Sequence, residues 1–272
     1  MDIRLFIYLL INKIFNYYIC KSVLQMECRK METGVQLFSR LKPESSKILD
    51  GINPKLFPEG GPLVNQVIEV LHHQNVNYTD FLVDFIVRAL LPSKLDPSFK
   101  ESQVILLHTD CQISLLKVIK FIEKKCGKNN GIVEECLKRL VKINCYSAEE
   151  IETTFFNLER IIGNCDKPGL VVLDNCLSQY WIAKFEERML SFDKHSEKIV
   201  NLLYEKIKDL NVVLMYGRPF WSGGDCIKPG AQVTYSIYIV ENEKGFEAQV
   251  KNVEKSVSYI VPFNVNAGID FL

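Results

Sequence analysis

The residues with the clearest chemical pattern follow the first buried apolar run of the chain. VIEVL is followed by HHQNVNYT and then by residues with an apolar helical period. This order of strand, loop and helix is that of a phosphate-binding loop, G-x-x-x-x-G-K-[ST], whose backbone N–H groups hold phosphates and whose hydroxyl binds Mg²⁺. Only Thr79 matches that pattern, because His72 and Asn77 stand at the glycine positions and Tyr78 stands at the lysine position.

These substitutions remove most of what holds a phosphate. A non-glycine residue forced into the left-handed conformation costs roughly 1–2 kcal/mol. Loss of the lysine removes a charge-assisted contact of about 1.5–3 kcal/mol. The combined loss is on the order of a thousandfold or more in affinity. We therefore predict no useful ATP binding through this loop and expect no cofactor.

Thr79 and the two adjacent histidines also have interpretations that involve no ligand. Thr79 is equally suited to cap the N-terminus of the helix that follows. His72 and His73 are adjacent in the sequence, so their side chains diverge and a shared metal ion is not expected.

The elements that position this loop follow from two hydrophobic periods. Short apolar runs predict buried strands at 67–71, 104–108, 140–146, 170–174 and 212–216. Stretches with a helical period separate them, at 81–90, 115–122, 151–162 and 196–210. Runs that are buried on both faces and joined by helices predict a mostly parallel α/β sheet. At the C-terminus a hairpin, 233–240 with 246–253, and a strand at 259–264 predict an antiparallel addition.

The composition gives no support to general nucleic-acid or lipid binding or to a zinc site. The 272 residues include 33 basic and 33 acidic side chains, so the net charge gives no general attraction to nucleic acid or anionic lipid. Nine cysteines occur without any C-x-x-C pair, which argues against a zinc site and indicates reduced, mostly buried thiols.

Seven fragments, in this order and spacing, resemble the RecA-type recombinase paralogues of eukaryotes. They are GVQLFSRL, VNQVIEVL, TDFLVDFIVRALLP, VILLHTD, LVVLDNCLSQYWI, NVVLMYG and YIVPFNVNAGIDFL. The resemblance runs from about Gly34 to Leu272, nearly the whole body of the chain. It implies a RecA-like core of the P-loop NTPase type, with a degenerate Walker A motif at the loop described above.

The resemblance also implies roles for individual residues. Thr79 is similar in position to the magnesium-binding hydroxyl, and Asp174 to the aspartate of the second motif that orders the magnesium. Asp110 lies where recombinases place the carboxylate that activates water, although it is one methylene shorter than the usual glutamate. Asp174 could instead cap a turn at the end of its strand, outside any intact metal site.

Two segments are candidates for DNA contact. Recombinases place a flexible DNA-facing loop after the strand that ends near Gly217, and Arg218, Gly223 and Gly224 fall there; a plain surface loop fits equally well. A stripe of lysines on the second helix is either a solvated helix face or a DNA contact. It consists of Lys117, Lys120, Lys124 and Lys125.

The degenerate loop within a recombinase-like chain predicts a non-catalytic subunit in the nucleus. It would assemble with other recombinase paralogues and support double-strand break repair by homologous recombination, contacting DNA through the complex and taking no small-molecule substrate. The alternative is a DNA-dependent ATPase subunit whose ATP site a neighbouring protomer completes.

The chain divides into three parts. Residues 1–25 are an apolar extension, 26–59 a lead-in and 60–272 the core domain. Arg4, Asn12, Lys13 and Asn16 interrupt the apolar extension, so a membrane span is not favoured. The extension has three alternative interpretations: a segment outside the natural protein, a targeting or membrane segment, or an amphipathic partner-binding helix.

Overall fold

The computed structural model describes residues 33–41, 47–73, 76, 78–186, 191–220, 232–243, 245–265 and 269–272. Its helices are α1 Gly34–Leu41, α2 Tyr78–Leu90, α3 Leu115–Cys126, α4 Asn130–Lys138, α5 Ala148–Gly163, α6 Tyr180–Glu186 and α7 Phe192–Ile207. Its strands are β1 Val67–His73, β2 Gln103–His108, β3 Leu140–Asn144, β4 Pro168–Leu173, β5 Val213–Phe220, β6 Tyr235–Asn242, β7 Gly245–Asn252, β8 Val257–Val265 and β9 Ile269–Phe271. The apolar extension at 1–25 lies outside the described residues.

Side-chain caps set where several helices begin. The Ser147 hydroxyl accepts the backbone N–H of Glu150, whose carboxylate reaches back to the Ser147 N–H, so a capping box starts α5. Ser114 and Ser191 accept backbone N–H groups in the same way at α3 and α7.

The strands form one sheet in the order β3-β2-β4-β5-β1-β6-β7-β8-β9 within the described part of the chain. The strands from β3 to β6 in this order pair in parallel, and the pairs from β6 to β9 are antiparallel. The prediction of a mostly parallel α/β sheet with an antiparallel C-terminal addition is therefore confirmed, and the architecture is consistent with a RecA-like core.

The sheet has a hydrophobic core on each face. Alternate strand residues such as Ile68 and Val70 pack with α2, α3 and α4 on one face. Val67 and Leu214 belong to the core on the other face, with α5, α6 and α7. Four residues of the predicted lead-in are buried in the first core: Leu49, Ile52, Leu56 and Phe57.

The observed elements differ from the predicted ones in several places. Helices α1, α4 and α6 and strand β9 were not predicted. The polar loop is shorter than expected, because His72 and His73 continue β1 and Tyr78 and Thr79 already belong to α2. Among the described residues, no helix is both long and apolar enough to cross a membrane.

Candidate functional site

The predicted site residues meet where the parallel strands end. Tyr78 lies just beyond β1, Asp110 just beyond β2 and Asp174 just beyond β4. Because parallel strands end at the same edge of a sheet, side chains that are distant in the sequence come together there. Asn77, the remaining predicted loop residue, lies outside the described residues.

Tyr78 fills the centre of this site. Its side chain is buried, and its ring stacks on His72 with 3.7 Å between ring centroids and 8° between ring planes. The hydroxyl lies 3.1 Å from the Asp174 carbonyl oxygen and 3.3 Å from Asp110 Oδ2, and can donate to either. Burial, followed by the nearby Asp110 and Asp174, raises the pKa of Tyr78 above its ordinary value, so the phenol stays neutral.

Gly217 on β5 makes room for this ring. A Cβ at position 217 would lie 2.5 Å from the Asp174 carbonyl oxygen and 2.6 Å from Tyr78 Cε2. Both distances are well inside van der Waals contact, so only glycine fits between the end of β4 and the Tyr78 ring. The glycine is thus part of the arrangement that holds Tyr78 in the site.

Both carboxylate oxygens of Asp174 are engaged by its own chain. Oδ1 accepts the Thr109 backbone N–H at 2.8 Å and the Thr109 hydroxyl at 2.7 Å, and Oδ2 lies 2.7 Å from His108 Nδ1. The Asp174 side chain has no exposed surface. These contacts tie the end of β4 to the end of β2, which is a structural role.

Asp110 is half-buried and faces the same hydroxyl. Its Oδ2 also accepts the Asn175 amide at 3.1 Å, and its Oδ1 accepts the Gln112 backbone N–H at 3.2 Å. Burial and then the neighbouring Asp174 raise the pKa of Asp110, so its carboxyl group takes up a proton more readily than an exposed aspartate.

Thr79 lies in the first turn of α2 and is buried. Tyr78 precedes it inside the helix, so Thr79 is not the N-cap residue that one interpretation of the sequence expected. Its hydroxyl accepts a hydrogen bond from the Lys117 ammonium group of α3. Lys117 also forms an ion pair with Asp80, with 2.6 Å between Nζ and Oδ1.

His72 completes the site as a neutral side chain. Burial lowers the pKa of its imidazole from 6.5 to about 4, which outweighs the hydrogen bond between Nδ1 and the His73 carbonyl. A neutral imidazole provides no fixed positive charge for a phosphate. Among the described residues, no cluster of three His, Cys, Asp or Glu side chains is arranged to hold a metal ion.

The side chains of this site differ in charge and in bonding from those of a phosphate-binding loop with its metal. Tyr78, at the lysine position of the motif, provides a neutral ring stacked on His72 where a phosphate needs a cation. The carboxylate of Asp174 is bonded to His108 and Thr109, and the Thr79 hydroxyl to a lysine. The arrangement holds the ends of β2 and β4 together, and the nearby cation, Lys117, is bonded to Thr79 and Asp80.

Of the three candidate residues of the DNA-facing loop, the structure describes only Arg218, and it places this residue in a strand. Arg218 lies inside β5 instead of in a loop, and its buried side chain pairs with Glu69 at 2.9 Å and with Asp193 at 2.7 Å. Strand β5 is longer than expected because its last residues pair with His72 and His73 of β1. Gly223 and Gly224 lie outside the described residues.

The lysines of α3 are also not a free basic stripe. Lys117 pairs with Asp80, Lys124 with Asp270 at 2.7 Å, and Lys125 with Asp84 at 2.8 Å. Lys120 and Lys124 are exposed, whereas Lys117 and Lys125 are partly buried. Three of the four lysines therefore join α3 to acidic residues of α2 and β9.

Sequence reasoning missed Lys117 as a partner of Thr79 and Gly217 as the residue that admits Tyr78. It also missed His108 and Thr109, the partners of Asp174. The only signal for Lys117 was its place in the lysine stripe. The signal for Gly217 was a glycine directly after an apolar run, in MYG.

Comparison with known proteins shows a similarity to a DNA repair protein. No family model matches the chain. The chain is 27% identical to the DNA repair protein XRCC2 of Mus musculus over 158 residues, which are 57% of this chain and 55% of that protein. The match thus spans about half the length of the mouse protein. This similarity confirms, over 158 residues, the resemblance that the seven sequence fragments indicated.

Proposed function

We propose that this chain is a non-catalytic subunit of a recombinase-like assembly in the nucleus, where it supports double-strand break repair by homologous recombination. The similarity to a DNA repair protein supports the repair process. The observation that carries the non-catalytic part is the Tyr78 ring, buried on His72 with its hydroxyl at the Asp174 carbonyl.

In this proposal the chain works through its surfaces. Its partners are other recombinase paralogues, and DNA is contacted through the assembled complex. The balanced net charge and the pairing of three α3 lysines with acidic residues support a shared DNA contact rather than an independent one.

Nucleotide binding tests the non-catalytic part directly. Isothermal titration calorimetry of the isolated chain with MgATP is expected to show no binding tighter than millimolar. The same measurement on the assembled complex is expected to show no MgATP site that depends on this loop. Thr79→Val is the matched variant, because it removes the hydroxyl and keeps the side-chain shape. A micromolar site in either sample that Thr79→Val abolishes would overturn the proposal and favour an ATPase completed by a neighbouring protomer.

Complementation tests the repair role. Cells that lack the protein are expected to become sensitive to agents that break both DNA strands, and to regain resistance with the wild type or with Asp110→Asn. Asp110→Asn removes the charge of the candidate water-activating group but keeps an acceptor for Tyr78. If Asp110→Asn protein is expressed at the wild-type level but fails to restore repair, the carboxylate has a chemical role. If deletion leaves repair intact, the repair role is wrong.

A further inference from the structure

Lys117 places a positive charge at the Thr79 hydroxyl, which is the group that binds the metal ion in a complete phosphate-binding loop. The side chain leaves the first turn of α3 and reaches α2, where its ammonium group lies 2.6 Å from Asp80 Oδ1 and donates to the Thr79 hydroxyl. All three side chains are largely withdrawn from solvent, with Lys117 only 22% exposed and Asp80 only 13%.

The two oxygen acceptors have the chemistry that a hard divalent cation prefers. Magnesium is bound in proteins by carboxylate and hydroxyl oxygens and keeps several waters. In a complete loop the threonine hydroxyl at this position binds that ion. A lysine ammonium is a compact point charge with three donors, so it can satisfy the same two oxygens without recruiting anything from solution.

We propose that Lys117 is a resident cation that takes the place of a divalent metal at Thr79 and Asp80. The site is then neutralised by its own chain at all times. This deepens the proposed lack of nucleotide binding, but it concerns the isolated chain and holds whether or not the chain assembles with paralogues.

The packing of α3 against α2 keeps Lys117 in position. Ser114 caps α3 by accepting the Lys117 backbone N–H at 3.2 Å, so the first turn of the helix is fixed. Two turns further along, Lys125 pairs with Asp84 at 2.8 Å, which joins the same two helices a second time. The ammonium is therefore held by two helices in a fixed register and does not rely on its flexible stem alone.

Mn²⁺ is the probe for the test, because it is a paramagnetic ion with the ligand preference of Mg²⁺. The experiment measures broadening of the Thr79 amide signal in isotope-labelled full-length protein during Mn²⁺ titration, together with the thermal midpoint. The variants are Lys117→Met, which keeps the apolar stem without the charge, and Lys120→Met, the matched change at an exposed lysine of the same helix. Lys117→Met/Asp80→Asn removes the carboxylate from the opened site.

The wild type and Lys120→Met are expected to show no selective broadening at Thr79. Lys117→Met is expected to lose about 2–4 °C in the thermal midpoint and to bind Mn²⁺ near Thr79 at least about tenfold more tightly than the wild type. The double variant is expected to lose that binding again, because the site has lost its carboxylate.

Two results would overturn the proposal. One is selective Mn²⁺ broadening at Thr79 in the wild type, since a resident ammonium cannot share those oxygens with a metal. The other is a Lys117→Met protein that folds but binds Mn²⁺ no better than the wild type. If Lys117→Met fails to fold, Lys117→Arg decides: it keeps the cation, so a folded Lys117→Arg protein must exclude Mn²⁺ as the wild type does, and broadening at its Thr79 would contradict the proposal.

Discussion

Tyr78 combines two kinds of contact in a single buried side chain. Its ring covers His72, and its hydroxyl meets the ends of two other strands through the Asp174 carbonyl and Asp110. A lysine at this position would be a flexible cation, whereas a tyrosine loses less side-chain freedom when it is packed. The tyrosine that stands at the lysine position therefore also stabilises the contacts between the strand ends.

Tyr78→Phe should separate these two contributions. The ring stack stays, while the Asp174 carbonyl and Asp110 lose a buried donor, so the free energy of unfolding is expected to fall by about 1–2 kcal/mol. Urea unfolding measures the difference. The same change should not create MgATP binding, because no cation is introduced. An unfolding free energy equal to that of the wild type would mean that the hydroxyl is not bonded as described.

His72 predicts how stability depends on pH. The native imidazole has a pKa of about 4 against 6.5 for the ordinary side chain, because it is buried and nothing in the described residues bonds to its Nε2. Between these pH values the unfolded chain binds a proton that the native chain does not, so stability falls as pH drops from about 6.5 towards 4 and no further below it. The contribution is at most on the order of 2–3 kcal/mol.

Urea unfolding at pH 7, 6 and 5 tests whether His72 lowers the stability of the protein as the pH drops. His72→Phe keeps a ring for Tyr78 to stack on and cannot take up a proton, so its stability should fall less over this range than that of the wild type. His73→Phe, at the exposed neighbouring position, is the control and should behave like the wild type. If the unfolding free energies of the wild type and His72→Phe fall by the same amount as the pH drops, the lowered pKa of His72 does not control this pH dependence.

At the scale of elements, the site depends on how closely β5 passes the end of β4. Gly217 is the point of closest approach, and the space that a side chain would need is taken by the Asp174 carbonyl and the Tyr78 ring. The carbonyl belongs to the backbone and cannot move without shifting β4. The pairing of two strands and the position of Tyr78 are thus linked through one glycine.

Gly217→Ala is therefore expected to be strongly destabilising. The added Cβ has to displace backbone, and we expect a loss of about 2–3 kcal/mol in the free energy of unfolding, with Tyr78 pushed out of its stack. Gly34→Ala is the control, because a Cβ there meets no atom within 4 Å and alanine favours the helix. Tyrosine fluorescence and urea unfolding report the two effects. A Gly217→Ala protein as stable as the wild type would show that the strands do not approach this closely.

At the scale of the whole molecule, the local sequence patterns predicted most of the strands and helices but few of the side-chain contacts between them. The strands were predictable because their residues are buried on both faces, as in β2 and β4. Helix α6 was missed because it has only seven residues and shows no clear period. The Lys117 contact and the position of Arg218 could not be predicted, because both depend on which elements pack together far apart in the sequence.

Strand β1 lies in the middle of the sheet, and a buried ion pair helps to join it to the strands on either side. Glu69 has no exposed surface and accepts hydrogen bonds from Tyr216 and Arg218 on β5 and from Ser236 on β6, at 3.0, 2.9 and 3.4 Å. Strands β5 and β6 flank β1 on opposite sides, so one carboxylate joins β1 to both of its neighbours in the sheet. The Arg218 guanidinium extends the network to Asp193 at the start of α7.

Glu69→Leu should destabilise the whole sheet, by about 3–5 kcal/mol, because it leaves the buried Arg218 charge without its inner partner. Glu69→Leu/Arg218→Met should recover most of that loss, since a pair of apolar side chains needs no compensating charge. Glu59→Leu, which breaks the exposed pair with Lys255, is the control and should cost less than about 1 kcal/mol. The measurements are urea unfolding free energies, with circular dichroism and tyrosine fluorescence followed together. If the double variant is as unstable as Glu69→Leu alone, the cost arises from lost packing at the centre of the sheet and not from an unpaired charge.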